Sequence, residues 1–386
     1  MEKQIEGLFQ PPEEVNPTLL ALGDPDHPER VVHPRVRVFP RLGLALGFVD
    51  REHVSGLEHS PHIDEVQPAE EVSLVRPVAM RATQKPKRTT WGISRLNVPR
   101  LWKLEITGKG VRVGHLDTGI DATHPALSKA VAAYRYFDRL GNPVPGAPPT
   151  DSGTHGTHTA GTIAGRPTNG EAIGVAPGAD LVVAHVIEGG NVVERILGGL
   201  EWMIEERVRV VNLSLGLRGF TPAFQILIDA LRAQGVLPVV AVGNEGPGTS
   251  RSPGNYGNVL SVGAIDRQNA VASFSGSQRF AHGSVPKLVA PGVGVVSSAP
   301  GGKYVSSSGT SMAAPHVSGL AALLMQAVPS ATIDDVENAI IASCRLVGSM
   351  TAGTAGAGLP DAVRAYAVLQ ASPSAAPRSG PRTATG

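Results

Sequence analysis

The sequence predicts an α/β protein in which helices cover both faces of a central, mostly parallel β-sheet. Short apolar runs alternate with amphipathic segments over residues 91–370. Runs that are apolar at every position are typical of parallel strands buried between two layers of helices. The 46 glycines among 386 residues fit this class, because closely packed helices and strands and their turns favour glycine.

Composition divides the chain into a main domain and flanking regions. Residues 1–30, rich in Pro and Glu, are predicted to be a flexible extension, and residues 31–80 a small α/β domain. Residues 81–90 are polar, basic and interrupted by proline, which predicts an exposed linker. Residues 371–386 are of low complexity and are predicted to be a disordered tail.

Each domain has its own predicted elements. In the small domain these are strands over 36–50, a helix over 51–61 with Val54 and Leu57 inward, and strand character over 63–78. In the main domain the buried strands are predicted at 111–117, 179–187, 208–216, 235–244 and 259–265. Amphipathic helices are predicted at 191–207 and 222–235.

Charge and hydropathy argue against two classes of partner. A formal net charge of +1 gives no electrostatic case for nucleic acid or an anionic membrane surface. No uninterrupted apolar run approaches the roughly 20 residues of a membrane span. We therefore expect neither nucleic acid nor a membrane as a partner. We also expect the protein to be a monomer. Cys344 is the only cysteine, so no intrachain disulfide can form, and we interpret it as a small buried helix residue.

The first residues lack the basic start and apolar core of a secretory signal. This predicts a cytoplasmic protein. Secretion by an unrecognised route, or from a missing upstream signal, stays open as the alternative.

Candidate chemical groups follow the predicted strands. Ligands bind open α/β sheets outside the carboxyl ends of the strands. Asp117, in DTGID, follows the first strand of the main domain, Ser214 follows the third and Asn244 the fourth. A carboxylate, a small-residue edge and an amide are thus expected at one edge of the sheet.

A histidine and a serine complete a possible nucleophilic site. His155 begins a helix of small residues in SGTHGTHTAGTIAG, and Ser311 lies between a Gly/Ser/Thr loop and a small-residue helix. A serine hydroxyl needs an imidazole to accept its proton and a carboxylate to orient that imidazole. A metal shared by His155 and His158 is disfavoured, because helical zinc proteases place Glu where this chain has Gly156. We interpret His158 as a hydrogen-bonded core histidine.

Four motifs in order, DTGID, HGTHTAG, AVGNEG and GTSMAAPHVSG, resemble those of the subtilisin-like serine proteases. The resemblance covers about residues 91–369 and implies a three-layer subtilisin-like fold. It implies a serine endopeptidase that acts on protein or peptide substrates through an acyl-enzyme and requires no cofactor for this chemistry. Asp117 would orient His155, His155 would act as general base and then acid, Ser311 would attack, and Asn244 with the Ser311 N–H would form the oxyanion hole.

The resemblance also implies a substrate cleft. Two segments would form the walls of the S1 pocket, which holds the side chain before the scissile bond (P1), and the first would also pair with substrate backbone: Ser214, Leu215 and Gly216, and Ala241, Val242 and Gly243. Arg251 lies near the expected pocket base. It is either a solvated surface arginine or a residue that favours acidic or polar side chains.

The sequence departs from the family at its calcium site and in its N-terminal region. Ala126 stands where the family has an aspartate ligand, and the loop over 165–174 offers few oxygen ligands besides Asn169 and Glu171. We assign no metal site, and structural calcium elsewhere stays open.

Residues 31–80 resemble a shortened form of the family's inhibitory propeptide. We expect them to cover the active-site face and the chain to be cut within about 77–90, giving a self-processed zymogen. A permanent accessory domain is the alternative. Two other functions stay open: a processing peptidase for one partner peptide, and a silent binding module, although no triad member is missing.

Overall fold

The computed structural model describes residues 37–47, 72–188, 192–281 and 283–372, together with isolated positions between 55 and 69. The chain divides into two compact units, Met1–Glu70 and Glu71–Gly386. The predicted helix over 51–61, with Val54 and Leu57, and the predicted termini over 1–30 and 371–386 fall largely outside the described residues.

Where the structure describes the first unit, β1 (Arg37–Phe39) and β2 (Leu44–Leu46) form a hairpin. The strands are antiparallel, with Arg37 opposite Leu46. Gly43 in the turn has φ +66°, a left-handed conformation that glycine adopts without strain. The hairpin accounts for part of the strand character predicted over 36–50.

The other strands and helices for which the described residues give bounds lie in the second unit. Its strands are β3 (Ser73–Leu74), β4 (Ala79–Thr83), β5 (Arg112–Asp117), β6 (Val131–Tyr136), β7 (Asp180–His185), β8 (Val210–Leu213), β9 (Leu215–Arg218), β10 (Leu237–Ala241), β11 (Arg251–Ser252), β12 (Leu260–Ile265), β13 (Gln278–Phe280), β14 (Gly283–Val285), β15 (Leu288–Pro291), β16 (Val295–Ala299) and β17 (Lys303–Ser308). Its helices are α1 (Trp91–Arg95), α2 (Val98–Trp102), α3 (His155–Ala164), α4 (Val193–Glu205), α5 (Gln225–Ala233), α6 (Thr310–Ala327), α7 (Ile333–Ser343), α8 (Ala352–Ala355) and α9 (Ala362–Gln370).

A seven-stranded parallel sheet forms the core of this unit, in the order β15-β12-β10-β8-β5-β7-β6. Every residue of β8, β10, β12 and β15 is buried, and α3, α4, α5 and α6 contact the sheet. The predicted α/β architecture with a mostly parallel sheet and surrounding helices is confirmed.

The predicted strands and helices of the main domain are present with shorter bounds, but one strand is divided. The run predicted over 208–216 ends as β8 at Leu213, and Leu215 begins β9 in a separate sheet of order β11-β9-β3. The break lies at Ser214, whose carbonyl accepts a hydrogen bond from Val75 N–H at 2.9 Å. Strands β6 and β15, the two edges of the main sheet, were not predicted, because one carries tyrosine and arginine and the other is four residues long.

Helix α6 is buried along most of its length, from Thr310 to Met325. Gly319 permits a close approach, since a Cβ there would lie 2.6 Å from Val175 Cβ. At Gly319 the helix therefore packs against the segment before β7, whereas other parts of α6 contact the sheet. Pro315 lacks an N–H and leaves the Ser311 carbonyl without a helical donor, and Ser214 Oγ donates to this carbonyl at 3.4 Å.

The region predicted as an exposed linker over 81–90 is partly a strand. Strand β4 pairs antiparallel with β17, with Ala79 opposite Ser308 and Thr83 opposite Tyr304. All five of its side chains are exposed, so main-chain pairing organises this segment without a hydrophobic pattern in the sequence.

Two smaller sequence expectations can be placed. Cys344 lies at the C-terminal end of α7 and is only half-buried, and burial raises the pKa of its thiol to about 12. Among the described residues, no helix combines the length and apolarity needed to cross a bilayer.

Candidate active site

Asp117 and His155 form a buried pair. Asp117 ends β5 and His155 begins α3, and His155 Nδ1 lies 2.7 and 2.8 Å from the two carboxylate oxygens. Burial opposes ionisation of Asp117, but the charge and hydrogen bond of His155 and the Thr118 N–H hold its pKa below the ordinary value. The ionised carboxylate therefore keeps the proton on Nδ1 and leaves Nε2 as the acceptor.

The surroundings of His155 leave Nε2 free. This atom is buried and has no hydrogen-bond partner among the described residues. Gly156 allows the start of α3 to lie against the loop after β5, since a Cβ there would come 2.0 Å from the Gly119 carbonyl oxygen. Helix α3 thus presents His155 Nε2, which has no partner among the described residues, beside a close backbone contact.

Two further histidines lie nearby and stay neutral. His115 is fully buried on β5, with Nε2 3.0 Å from the Gly156 carbonyl, and burial lowers its pKa. His158 Nε2 lies 3.0 Å from the Val295 carbonyl, and burial lowers the pKa of His158 to about 4. Both observations agree with the interpretation of His158 as a hydrogen-bonded core histidine. Sequence reasoning missed His115, although its spacing of two from Asp117 places both on one face of a strand.

Ser311 is the second residue of α6 and is fully buried. Its Oγ donates a hydrogen bond to the carbonyl oxygen of Val75, and no hydrogen bond joins it to His155 in the described part of the chain. Ser214, directly after β8, contacts the Ser311 carbonyl. Since β8 neighbours β5, Ser311 lies at the carboxyl ends of these parallel strands, where Asp117 ends β5.

Asn244 is fixed beside the start of α6. Its side-chain oxygen accepts from Thr310 N–H at 2.8 Å and from Thr310 Oγ1 at 2.9 Å. This orientation turns Nδ2 outward, where it donates to the Arg76 carbonyl at 2.8 Å. The amide is therefore a preorganised donor aimed at a backbone carbonyl in the cleft.

A segment of the chain itself occupies the cleft next to Ser311. Strand β3 pairs antiparallel with β9, with Ser73 opposite Gly216 and Leu74 opposite Leu215. The ladder continues with Val75 N–H to the Ser214 carbonyl at 2.9 Å. The predicted substrate-pairing residues Ser214, Leu215 and Gly216 thus bind an extended strand.

Strand β3 places apolar side chains in buried positions. Val75 is fully buried and belongs to the same apolar cluster as Ala241. Val72 faces an apolar pocket lined by Ile196, Leu215 and Ile228, among others. The cleft therefore accepts aliphatic side chains at two positions of a bound strand, three residues apart.

Arg251 is not a solvated surface residue. It is 7% exposed and lies against both predicted walls: its N–H donates to the Val242 carbonyl at 2.9 Å, and Nη1 donates to the Gly216 carbonyl at 3.1 Å. Nε lies 3.0 Å from Glu245 Oε1. Burial opposes ionisation of Glu245, but Arg251 holds its pKa below the ordinary value. The interpretation of Arg251 as a solvated surface residue is therefore wrong, because the structure buries its side chain beside Glu245. The sequence alone does not reveal Glu245 as its partner.

The calcium site that the resemblance implies does not fit the residues present. Ala126 is buried and offers no ligand, and the Thr168 carbonyl accepts from Lys85 Nζ at 2.9 Å. The same ammonium lies 2.9 Å from Glu171 Oε2. A lysine thus engages the oxygens of this loop. Within the described residues, no cluster of three or more His, Cys, Asp or Glu could hold a metal ion.

Comparison with known proteins agrees with this geometry. The signature of the subtilase family matches residues 108–362. The chain is 36% identical to an alkaline protease of Alkalihalobacillus alcalophilus over 352 residues, 90% of this chain and 85% of that protein. It is 41% identical to Subtilisin Savinase of Lederbergia lenta over 263 residues, 67% of this chain and 92% of that protein. With Subtilisin E of Bacillus subtilis (strain 168) it shares 33% identity over 317 residues, 81% of this chain and 78% of that protein.

Proposed function

The chain belongs to the subtilase family and is a serine-type endopeptidase, and from this premise we propose which residues carry out its chemistry. Ser311 Oγ attacks the scissile carbonyl carbon, and its proton passes to His155 Nε2. Asp117 stabilises the resulting imidazolium through Nδ1. The single observation that carries this assignment is the buried Asp117–His155 pair at the carboxyl ends of the parallel strands, where Ser311 contacts the carbonyl of a bound strand.

The remaining steps follow from the same atoms. The oxyanion that forms on the Val75 carbonyl accepts hydrogen bonds from the Ser311 N–H and from Asn244 Nδ2, which must turn from the adjacent Arg76 carbonyl, to which it donates in the structure. His155 then donates its proton to the leaving nitrogen, and the acyl-enzyme on Ser311 is hydrolysed by a water that His155 activates. For the first step the Ser311 hydroxyl must turn from the Val75 carbonyl to Nε2, which has no other partner among the described residues.

The first substrate of this site is the protein itself, cut between Val75 and Arg76. The Val75 carbonyl is the one that Ser311 Oγ contacts, and its side chain is buried. The chain is held on both sides of this bond, by β3 on β9 and by the Val78 N–H donating to the Ser308 carbonyl at 2.8 Å. This position lies just before the window of 77–90 that the sequence suggested.

The comparisons support a propeptide before the cut. The match with the alkaline protease covers 90% of this chain, about 347 residues, while the family signature spans 255 and only 24 residues follow it. At least about 68 matched residues therefore precede residue 108. A shared N-terminal region of this length favours residues 31–80 as a processed inhibitor domain over an accessory domain peculiar to this chain.

Intact mass spectrometry of the full chain tests both proposals. Wild type should yield a species that begins at Arg76, whereas Ser311→Ala should stay at full length. Ser318→Ala is the matched control, since Ser318 also lies on α6 but its hydroxyl donates to Asn212 Oδ1 and the Ala314 carbonyl and not to the bound strand, and it should process normally. Identical cleavage in Ser311→Ala purified apart from wild type would refute the triad assignment. A start at Pro77 would move the scissile bond by one residue.

The structure of the loop after α3 suggests a further assignment. We propose that the Lys85 ammonium holds this loop in place of calcium, so that the fold needs no ion there. The monomeric state and the cytoplasmic location stay predictions.

A further inference from the structure

Arg251 is built into the cleft through its backbone. Strand β11 pairs antiparallel with β9, so that Arg251 lies opposite Arg218 and Ser252 opposite Leu217. Since β9 also pairs with the bound strand β3, the three strands form one sheet in which β9 is central. Arg251 is therefore held at fixed distance from whatever strand occupies the cleft.

The aliphatic part of Arg251 lies between the two walls of the S1 pocket. A Cβ on Gly216 would be 3.2 Å from Arg251 Cβ, and a Cβ on Gly243 would be 3.1 Å from Arg251 Cγ. The side chain thus fills space that the two glycines leave open. Val75, the P1 residue of the proposed cut, is fully buried, so a side chain of about the size of valine fits at this position.

The guanidinium reaches beyond this pocket to another residue of the bound strand. Nη1 lies 3.2 Å from Ser73 Oγ, and this hydroxyl can also donate to the Gly216 carbonyl at 3.4 Å. Ser73 is two residues before Val75, so both side chains leave the strand on the same side. With Val75 at P1, Ser73 is the P3 residue, and Arg251 contacts its side-chain oxygen.

The local charge favours an acceptor at this position. Glu245 faces Arg251 and also lies 3.2 Å from Arg218 Nε, so two guanidinium groups share one carboxylate. Ser73 is exposed, whereas the Arg251 side chain is only 8% exposed and cannot turn into solvent. An oxygen acceptor on a P3 side chain would meet a fixed cation, and a P3 ammonium would face a net positive cluster.

We propose that Arg251 determines specificity at two positions of the substrate: its guanidinium selects Ser, Thr, Asp or Glu at P3 over Lys or Arg, and its stem limits P1 to small aliphatic residues. This rests on the proposed function, and in particular on the strand register that places Val75 at P1. Arg251 acts here by binding substrate side chains and takes no part in bond cleavage.

Internally quenched peptides built on residues 72–77, with Ser, Asp, Ala or Lys in place of Ser73, test the P3 preference on the processed enzyme. We expect kcat/KM with Ser or Asp to exceed that with Ala by roughly tenfold, the effect of one hydrogen bond to a charged group, and Lys to be poorer than Ala. In Arg251→Met, which keeps the stem and loses the charge, this ranking should disappear. Equal Ser-to-Ala and Lys-to-Ala ratios in wild type and Arg251→Met would overturn the proposal.

A second series tests the stem. Peptides with Val, Leu or Phe at P1 should show the Val preference in wild type and Arg251→Met, and Arg251→Gly should gain activity on Phe. If Arg251→Met folds poorly because Glu245 loses its partner, Glu245→Gln/Arg251→Met restores a neutral pair and answers the same question. Arg135→Met, at a partly exposed arginine far from the cleft in sequence, is the control.

Labelling of Ser311 by a fluorophosphonate separates this proposal from the proposed function. An enzyme that is labelled and cleaves peptides, but does so without P3 or P1 preference, refutes only the role of Arg251. An enzyme that is neither labelled nor active refutes the triad assignment instead.

Discussion

Removal of calcium should leave the stability of this protein unchanged, whereas Lys85→Met should lower it. The reason is the ammonium at 2.9 Å from both the Thr168 carbonyl and Glu171 Oε2, which holds the loop after α3. The loop is also held by Thr90 N–H donating to the Ala172 carbonyl at 3.0 Å, so the substitution should weaken the loop and not unfold the protein.

The expected size of the effect follows from exposure. The Lys85 and Glu171 side chains are 33% and 22% exposed, so solvent screens their ion pair to about 1 kcal/mol at most. The hydrogen bond to Thr168 adds about 1 kcal/mol. A total of about 1–2 kcal/mol corresponds to a decrease in Tm of a few degrees for a domain of this size. By contrast, a calcium site filled at 100 times its Kd would contribute about 2.7 kcal/mol.

Calorimetry of the full chain as Ser311→Ala, which prevents autolysis, measures both quantities. Tm in about 1 mM calcium and in excess EGTA should agree within about one degree, since the ligand adds no free energy unless it binds the folded state. Lys85→Met in this background should melt a few degrees lower in both buffers. The control is Lys87→Met, an exposed lysine two residues away. A Tm several degrees higher in calcium than in EGTA, or an unchanged Tm for Lys85→Met, would refute the reasoning.

Three further predictions concern the active site and the buried histidines. Asp117→Asn, matured in trans, should lose about 10⁴-fold in kcat at an unchanged Tm, because an amide would favour the His155 tautomer with its proton on Nε2; a loss below tenfold would contradict this. Asn244→Ala should lose about 10²–10³ in kcat, a value carried over from subtilisin, a relative of this chain, with a Michaelis constant that changes little. Burial lowers the pKa values of His158 and His316 to about 4, so between about pH 6.5 and 4 the unfolded chain binds protons that the folded chain does not. Unfolding free energy should therefore fall as the pH falls through this range, and denaturant titrations of Ser311→Ala should show a shallower fall, by about 1.4 kcal/mol per pH unit, after His158→Gln.

The positions of the proposed catalytic residues Asp117 and His155 were predictable from local sequence. A continuous apolar run that ends in Asp117 predicts a strand with a carboxylate at its end. A helix of Gly, Ala and Thr predicts that His155 approaches another backbone, and Gly156 does so against Gly119. Neither inference needs a contact between distant parts of the chain.

Arg251 and Ser214 were not predictable in the same way, because their environments depend on short strands. Strand β11 has two residues and β3 has two, too few to produce any periodic pattern. The burial of Arg251 depends on the pairing of β11 with β9, and the break after β8 lies at Ser214, whose carbonyl accepts the Val75 N–H.

Pro77 separates two short strands of the segment through the cleft. The strand character predicted over 63–78 includes β3, whereas β4 overlaps the predicted linker over 81–90. In the structure Pro77 lies between two separate ladders, whose donors near the cleavage site are the N–H groups of Val75 and Val78, so its missing N–H costs nothing.

Under the proposed cut between Val75 and Arg76, we expect the two products to have different fates. The new C-terminus at Val75 is held by β3 and by buried apolar side chains, so the inhibitor domain would leave slowly. The new N-terminus at Arg76 is followed by β4, which keeps five residues on β17 through main-chain bonds, with every side chain exposed. A substrate strand must match the buried apolar contacts of Val72 and Val75 to displace the N-terminal product. The segment after Arg76 has only main-chain bonds to replace. For the proposed cut, we therefore expect the N-terminal product to leave the cleft more slowly than the new N-terminus at Arg76.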